Sequence, residues 1–148
     1  MGEDIRIANM QYVHPEILYF HNAAHYHLKL ALIFLDRNQL DPVVILCDRA
    51  LTSMLKALYI QENNTLSPPS TFSMEELLYL LHTEADPALD VVIFIGTIQY
   101  LTSQLERERI SKMKKKDIKR LLRRTDEILC LLSPRIMDDP AEVYCTIF

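Results

Sequence analysis

The sequence predicts an all-α protein, an up-and-down bundle of four long helices and one short helix. The first reason is that only two glycines occur in 148 residues. No Asn-Gly or Asp-Gly turn separates alternating apolar runs, so β-hairpins have almost no support. The second reason is that apolar residues recur at spacings of three and four, which is the helical period. The third is that prolines and capping residues stand where these stripes begin and end.

The composition indicates one globular domain over residues 1–148. Hydrophobic residues make up 49% and charged residues 24% of the chain, and no apolar run is long enough to cross a bilayer. The three cysteines are an odd number at wide spacing, which favours a reduced, cytoplasmic location. Residues 1–14 are predicted to form an N-terminal arm and residues 135–148 a C-terminal tail. No membrane contact is predicted.

The first two helices are predicted to pack antiparallel. Pro15 is suited to the first turn of a helix whose apolar stripe runs from Ile17 to the polar break at Asn38. Asp41 as N-cap, followed by Pro42, then begins a second helix that ends near residues 62–64. The short connection requires the two helices to turn back on each other.

Later signals define three more helices and a tail. Ser73 and Glu76 form a capping box for a short helix that ends near His82, after a proline-rich loop over residues 66–70. Asp86-Pro87 is predicted to begin a fourth helix, which is apolar nearly all round and should be central. A last helix is predicted to stop at Ser133-Pro134, and the apolar tail after it should be extended and dock on a groove.

Three histidines cluster in the first helix, and only two of them share a face. At about 100° per residue, His21 and His25 lie one turn apart, whereas His27 points the other way. One interpretation is a metal site built on His21 and His25, with a third ligand from another helix, such as His82 or Glu84. The other is a helix interface with ordinary hydrogen bonds, and the sequence favours it.

The charge of the chain is segregated. From Glu106 to Arg124 there are ten bases and three acids, a local net charge of +7, whereas the remaining residues carry −11. A block of like charge indicates an anionic partner, although a solvated helix face is the plain alternative. No aromatic residue is interleaved for base stacking, so contacts would be made to phosphates. The candidate anion-binding residues are Arg107, Arg109, Lys112, Lys114, Lys115, Lys116, Lys119, Arg120, Arg123 and Arg124.

The order and character of the helices also match a known pattern. It comprises the first helix HNAAHYHLKLALIFLDR, a second helix containing Arg49-Ala50 and Met54 through Leu58, a proline-containing loop, SMEELLYLLH, an apolar fourth helix, and DIKRLLRRTDEILCLL. Over about residues 15–134 this resembles the HEPN family, small helical bundles of prokaryotic toxin–antitoxin and nucleotidyltransferase-linked systems. Its ribonuclease members carry an Arg followed four to six residues later by a His. Arg107 and Arg109 occupy that neighbourhood, but no His follows, so the resemblance implies a member that does not cleave RNA.

The expected function is therefore that of a non-catalytic binding module. Its basic last helix would contact the phosphates of a nucleotide or of RNA, or an acidic protein. Because HEPN-like domains pair through helices, a homodimer is expected; no cofactor is predicted. Two alternatives stay open: a metal-dependent bundle enzyme using His21 and His25, and a purely structural dimerisation protein.

Overall fold

The computed structural model describes residues 2–83, 86, 88–103, 107–137 and 143–148, with side chains from His14 onward except that of Arg107. The described residues form six helices and no strand, which confirms the all-α prediction. Their bounds are Gly2–Asp36 (α1), Leu40–Asn63 (α2), Met74–Leu81 (α3), Leu89–Thr102 (α4), Arg107–Lys112 (α5) and Lys115–Ile136 (α6). Within the described part of the chain, no helix is long and apolar enough to cross a membrane.

Helix α2 is the centre of the fold. It packs against α1, α4, α5 and α6, and side chains along its length are fully buried, including Leu51, Met54 and Leu58. The predicted pairing of α1 with α2 is present, since a short turn with Asn38 in the left-handed conformation (φ 58°) joins two helices that pack along each other. Burial in α2 also raises the pKa of the Cys47 thiol to about 12, as befits a small apolar core residue.

The short helix α3 begins as its local sequence predicts. The Ser73 hydroxyl accepts a hydrogen bond from the Glu76 N–H at 3.1 Å, and the Glu76 carboxylate accepts one from the Ser73 N–H at 3.2 Å. Both bonds use backbone donors that the first turn of a helix leaves without partners. The start of α3 is thus capped by hydrogen bonds within residues 73–76.

Three predicted helix boundaries were wrong. Helix α1 begins at Gly2 and contains Pro15, so the backbone of the predicted N-terminal arm is helical. Helix α2 begins at Leu40, with Gln39 rather than Asp41 as N-cap. Helix α6 continues past Pro134 to Ile136.

The extra turn of α6 has a tertiary cause. The Arg135 guanidinium donates to the Leu80 and Leu81 carbonyls at 3.1 and 3.4 Å and forms an ion pair of 3.5 Å with Glu62. Ile136 is also buried. These contacts compensate for the backbone hydrogen bond that Pro134 cannot donate.

Helix α4 is not central, contrary to the prediction. Val92, Ile95 and Ile98 are buried, but Leu89 is 54% and Ile93 62% exposed. Its N-cap is Ala88, whose backbone N–H donates a hydrogen bond to the Asp86 carboxylate. The other half of the predicted Asp86-Pro87 start, Pro87, lies outside the described residues.

The basic segment is not one helix. Helix α5 ends at Lys112, and α6 begins at Lys115 after a break with extended backbone at Lys114. Cations one turn apart, such as Lys112 and Lys116, would repel each other on a continuous helix. Ile110 of α5 is buried.

Candidate functional site

The predicted histidine pair lies at the interface between α1, α6 and the tail. His21 is 3% exposed, and its Nε2 is hydrogen-bonded to the Ser133 hydroxyl at 2.6 Å. The His25 ring meets the Tyr144 ring edge to face, with 4.8 Å between centroids. The expected interface role of this pair is therefore present.

The tail over residues 143–148 docks as predicted, through polar groups as well as apolar ones. The Tyr144 N–H donates to the Ser133 hydroxyl at 2.7 Å. The Asp126 carboxylate accepts hydrogen bonds from the hydroxyls of Tyr144 and Thr146 and from the Ile147 N–H. Asp126 and Tyr144 are 3% and 5% exposed. We call this arrangement the tail anchor: His21, Asp126, Ser133, Tyr144 and Thr146.

The described side chains do not group around a metal position. Among them, no three His, Cys, Asp or Glu are close enough together to hold an ion. His82 lies at the end of α3, with Nδ1 2.7 Å from the Tyr79 carbonyl, and Glu84 lies outside the described residues. The structure thus gives His21 a contact with α6 and His25 a contact with the tail, and among the described residues it brings no third ligand to them.

Several of the ten predicted anion-binding residues have partners within the protein. Lys115 donates to the Asn38 side chain at 2.7 Å, and Arg124 forms ion pairs with Asp90 and Glu127 at 2.9 and 3.1 Å. Two others lie over aromatic rings: Arg109 over Tyr100 at 5.7 Å and Arg123 over Phe148 at 5.2 Å. The Arg107 side chain lies outside the described residues.

The other five cations are exposed. None of them forms an ion pair or hydrogen bond with another described residue. Within α6, Lys116 and Arg120 lie opposite the buried stripe that includes Ile118 and Leu122, and Lys119 flanks them. These five side chains form what we call the basic face: Lys112, Lys114, Lys116, Lys119 and Arg120.

A pocket with several polar side chains lies elsewhere, against α2. It has a volume of about 420 Å³, a size typical of small-molecule sites. We call it the polar cavity; it is lined by His27, Asp48, Arg49, Thr52, Ser53, Lys56, Ser70, Thr71, Gln99, Thr102 and Ser103.

Sequence reasoning missed this cavity, although a signal was present. The helix α2 has a polar stripe at helical spacing, and its opposite side is buried. The stripe consists of Asp48, Arg49, Thr52, Ser53 and Lys56. The contributions of α1, of α4 and of the loop could not be read from that spacing. His27 lines the cavity because it faces away from His25, as predicted.

The polar cavity perturbs its titratable groups. Burial raises the pKa of the Asp48 carboxyl, while a hydrogen bond with Thr102 and the Arg49 charge oppose the shift. Burial and then the Arg49 charge lower the pKa of His27. The His27 Nδ1 atom is buried without a hydrogen-bond partner among the described residues. Such groups are typical of ligand sites, because a ligand can supply the partner that the protein does not.

Comparisons with protein-family models, with curated proteins and with solved structures found no match.

Proposed function

We propose that this chain is a non-catalytic, HEPN-like helical module that binds the phosphates of RNA or of a nucleotide through the basic face. The observation that carries the proposal is the set of five exposed cations of this face, which have no acidic partner in the described structure. The segment that holds them has a net charge of +7 in a chain of −4. A bound polyanion would relieve the repulsion among these cations.

The type of contact follows from the side chains. Lys and Arg neutralise phosphates, and the absence of aromatic residues between 106 and 124 gives no platform on which bases could stack. We therefore expect binding that depends strongly on salt and weakly on base sequence.

The HEPN-like part of the proposal depends on the helix order and on a missing motif. All five histidines of the chain lie at or before residue 82, so none follows Arg107 or Arg109. A lysine in that place would be a poor general acid or base near neutral pH, since its unperturbed pKa is about 10.4. Binding without cleavage is the activity that these residues support.

Two charge-reversal variants of equal net charge test the proposal. Lys116→Glu/Arg120→Glu changes the basic face, and Lys29→Glu/Arg37→Glu changes two exposed bases elsewhere. With a mixed single-stranded RNA, the first variant should bind at least about tenfold more weakly, and the slope of log affinity against log salt should fall by about 2. The second variant should resemble the parent protein. Equal losses in both variants, or unchanged binding in the first, would contradict the basic face as the site.

The outer face of α4 favours homodimerisation as a second candidate. From Leu89 to Thr102, Asp90 is the single charged residue, and a helix that is apolar all round is normally buried. One chain leaves Leu89, Ile93 and Tyr100 between 50% and 62% exposed. A second copy that packs against this face would complete its burial.

Mass measurement in solution tests the dimer. Ile93→Glu should convert a dimer into a monomer, because it would place a charge in the middle of the interface. Ile33→Glu changes an exposed apolar residue of α1 and is the control. A parent protein that is monomeric at high micromolar concentration, or a dimer that only Ile33→Glu dissociates, would exclude the α4 interface.

A further inference from the structure

The lining of the polar cavity contains two cations and one acid. Arg49 and Lys56 lie two turns apart on α2 and form no ion pair within the described chain. Lys56 lies over the Phe20 ring at 5.5 Å, a contact that positions the ammonium group without satisfying its hydrogen-bond donors. Asp48 is the single acid in the lining, so the two cations give the cavity a net positive charge of at least +1 in either protonation state of that carboxyl. A small anion would therefore be attracted to it.

The rest of the lining indicates which anion. Six hydroxyl groups line the same cavity. Those of Thr102 and Ser103 donate to the Gln99 and Tyr100 carbonyls, which leaves four hydroxyl donors for a ligand: Thr52, Ser53, Ser70 and Thr71. A phosphate monoester has three terminal oxygens that each accept several hydrogen bonds, so it can use more of these donors than the two oxygens of a carboxylate. Two cations and a group of hydroxyls thus match a phosphate better than a carboxylate.

The organic part of the ligand should be polar and not aromatic. Asp48 and Gln99 provide acceptors for ligand hydroxyls, and the His27 Nδ1 atom has no partner among the described residues. His27 is the sole ring in the lining, so a nucleobase would have little surface on which to stack. A volume of about 420 Å³ is ample for a five- or six-carbon sugar carrying one phosphate.

We propose that the polar cavity binds a small phosphorylated sugar, with Arg49 and Lys56 on the phosphate and Asp48 and Gln99 on the sugar hydroxyls. This site is separate from the basic face, since it is built from α1, α2, α4 and the loop at residues 70–71. Its occupancy does not depend on whether the basic face binds RNA.

Titration calorimetry with ribose 5-phosphate, ribose and inorganic phosphate tests the proposal. The parent protein should bind ribose 5-phosphate with one-to-one stoichiometry, and both ribose and phosphate should bind at least about tenfold more weakly, because each lacks one set of contacts. Arg49→Gln should weaken ribose 5-phosphate binding about ten- to hundredfold, since a charge-assisted hydrogen bond is lost. Arg37→Gln, which removes an exposed charge outside both proposed sites, is the matched control and should leave binding unchanged.

The outcomes separate a defined site from general charge attraction. Equal weakening by Arg49→Gln and Arg37→Gln would show that the phosphate binds without a defined site, and would overturn the proposal. So would ribose binding as tightly as its phosphate, or no saturation by ribose 5-phosphate at millimolar concentration. Because Arg49 is exposed, Arg49→Gln should fold; Thr52→Val, which removes one lining hydroxyl and keeps its shape, should also weaken binding and gives an independent check.

Discussion

Two sides of α6 use polar residues in opposite ways. Asp126 and Ser133 lie on the side that meets the tail, are almost fully buried, and hold hydrogen bonds to several groups. Lys116 and Arg120 lie on the side opposite the core, are exposed, and hold none within the described chain. A polar side chain in the tail anchor is committed to the fold, whereas one on the basic face is available to a ligand.

The energetic difference follows from burial. Removal of a buried acceptor leaves its donors without partners and without water, which costs about 1 to 3 kcal/mol for each group. Removal of an exposed charge changes stability by a few tenths of a kcal/mol. Substitutions on the two sides of α6 should therefore separate stability from binding.

The largest effect on stability is expected for Asp126→Ala. It would leave the Tyr144 and Thr146 hydroxyls and the Ile147 N–H without their acceptor, so the free energy of unfolding should fall by about 3 kcal/mol. Urea unfolding measures this loss of stability. The control is Glu127→Ala, which removes an exposed ion pair with Arg124 and should cost less than about 0.5 kcal/mol. Similar losses for these neighbouring residues would refute the tail anchor.

A smaller effect is expected for Tyr144→Phe. The ring and its packing against His25 are kept, but the hydrogen bond to Asp126 is lost, so unfolding should become easier by about 1 to 2 kcal/mol. Tyr79→Phe is the control, because Tyr79 is 77% exposed and the change should be close to neutral. An unchanged urea midpoint for Tyr144→Phe would show that the tail is held by its apolar contacts alone.

His25, which packs against Tyr144 of the tail anchor, should also make stability depend on pH. Burial, followed by the charges of Lys29 and His21, lowers the pKa of His25 below 6.5, although Asp126 opposes the shift. As the pH falls below 6.5, the unfolded chain therefore takes up a proton more readily than the folded one, and stability is lost. Urea unfolding at pH 7.5 and 5.5 should show this loss, and it should be smaller in His25→Gln.

The Asp48 carboxyl acts with the opposite sign, since its raised pKa makes stability fall as the pH rises from 3.8 through its folded value. Comparison of each variant with its parent at both pH values isolates the contribution of His25 to the pH dependence of stability. His14→Gln, an exposed histidine of the same helix, is the control. A loss of stability that is the same in His25→Gln and in the parent would rule out this source.

The smallest effect, and one of opposite sign, is expected on the basic face. Lys116→Gln/Arg120→Gln removes a pair of like charges one turn apart, so α6 should gain a few tenths of a kcal/mol. The same variant should bind the phosphates of RNA more weakly. Arg124→Gln, which breaks ion pairs with Asp90 and Glu127, should lose stability slightly and serves as the comparison. A basic-face variant that is clearly destabilised would mean that these cations have a structural role.

Local signals explain which parts of the fold could be predicted. The capping box of Ser73 and Glu76 involves residues three apart, and the shared face of His21 and His25 follows from the helical period alone. The partners of this pair, Ser133 and Tyr144, are more than 100 residues away, and no local sequence pattern identifies them as partners. The sequence therefore predicts which face of α1 the two histidines share, but not which residues pack against that face.

The wrong boundaries have the same origin. Pro134 is a local stop signal, but contacts of Arg135 with α2 and α3 outweigh it. The apolar composition of α4 predicted a central helix, yet in one chain Ile93 faces solvent. The polar stripe of α2 was visible as a pattern, whereas the groups of α1 and α4 that make it a cavity are a consequence of packing.

The tail anchor also constrains the order in which the protein folds. Tyr144 contacts His25 of α1 and Asp126 of α6, so its binding place does not exist until these two helices have come together. Closure of that long loop has to precede tail docking. Docking is then a late event in folding, and the backbone amides of Tyr144 and Ile147 should acquire protection from hydrogen exchange after those of α1 and α2.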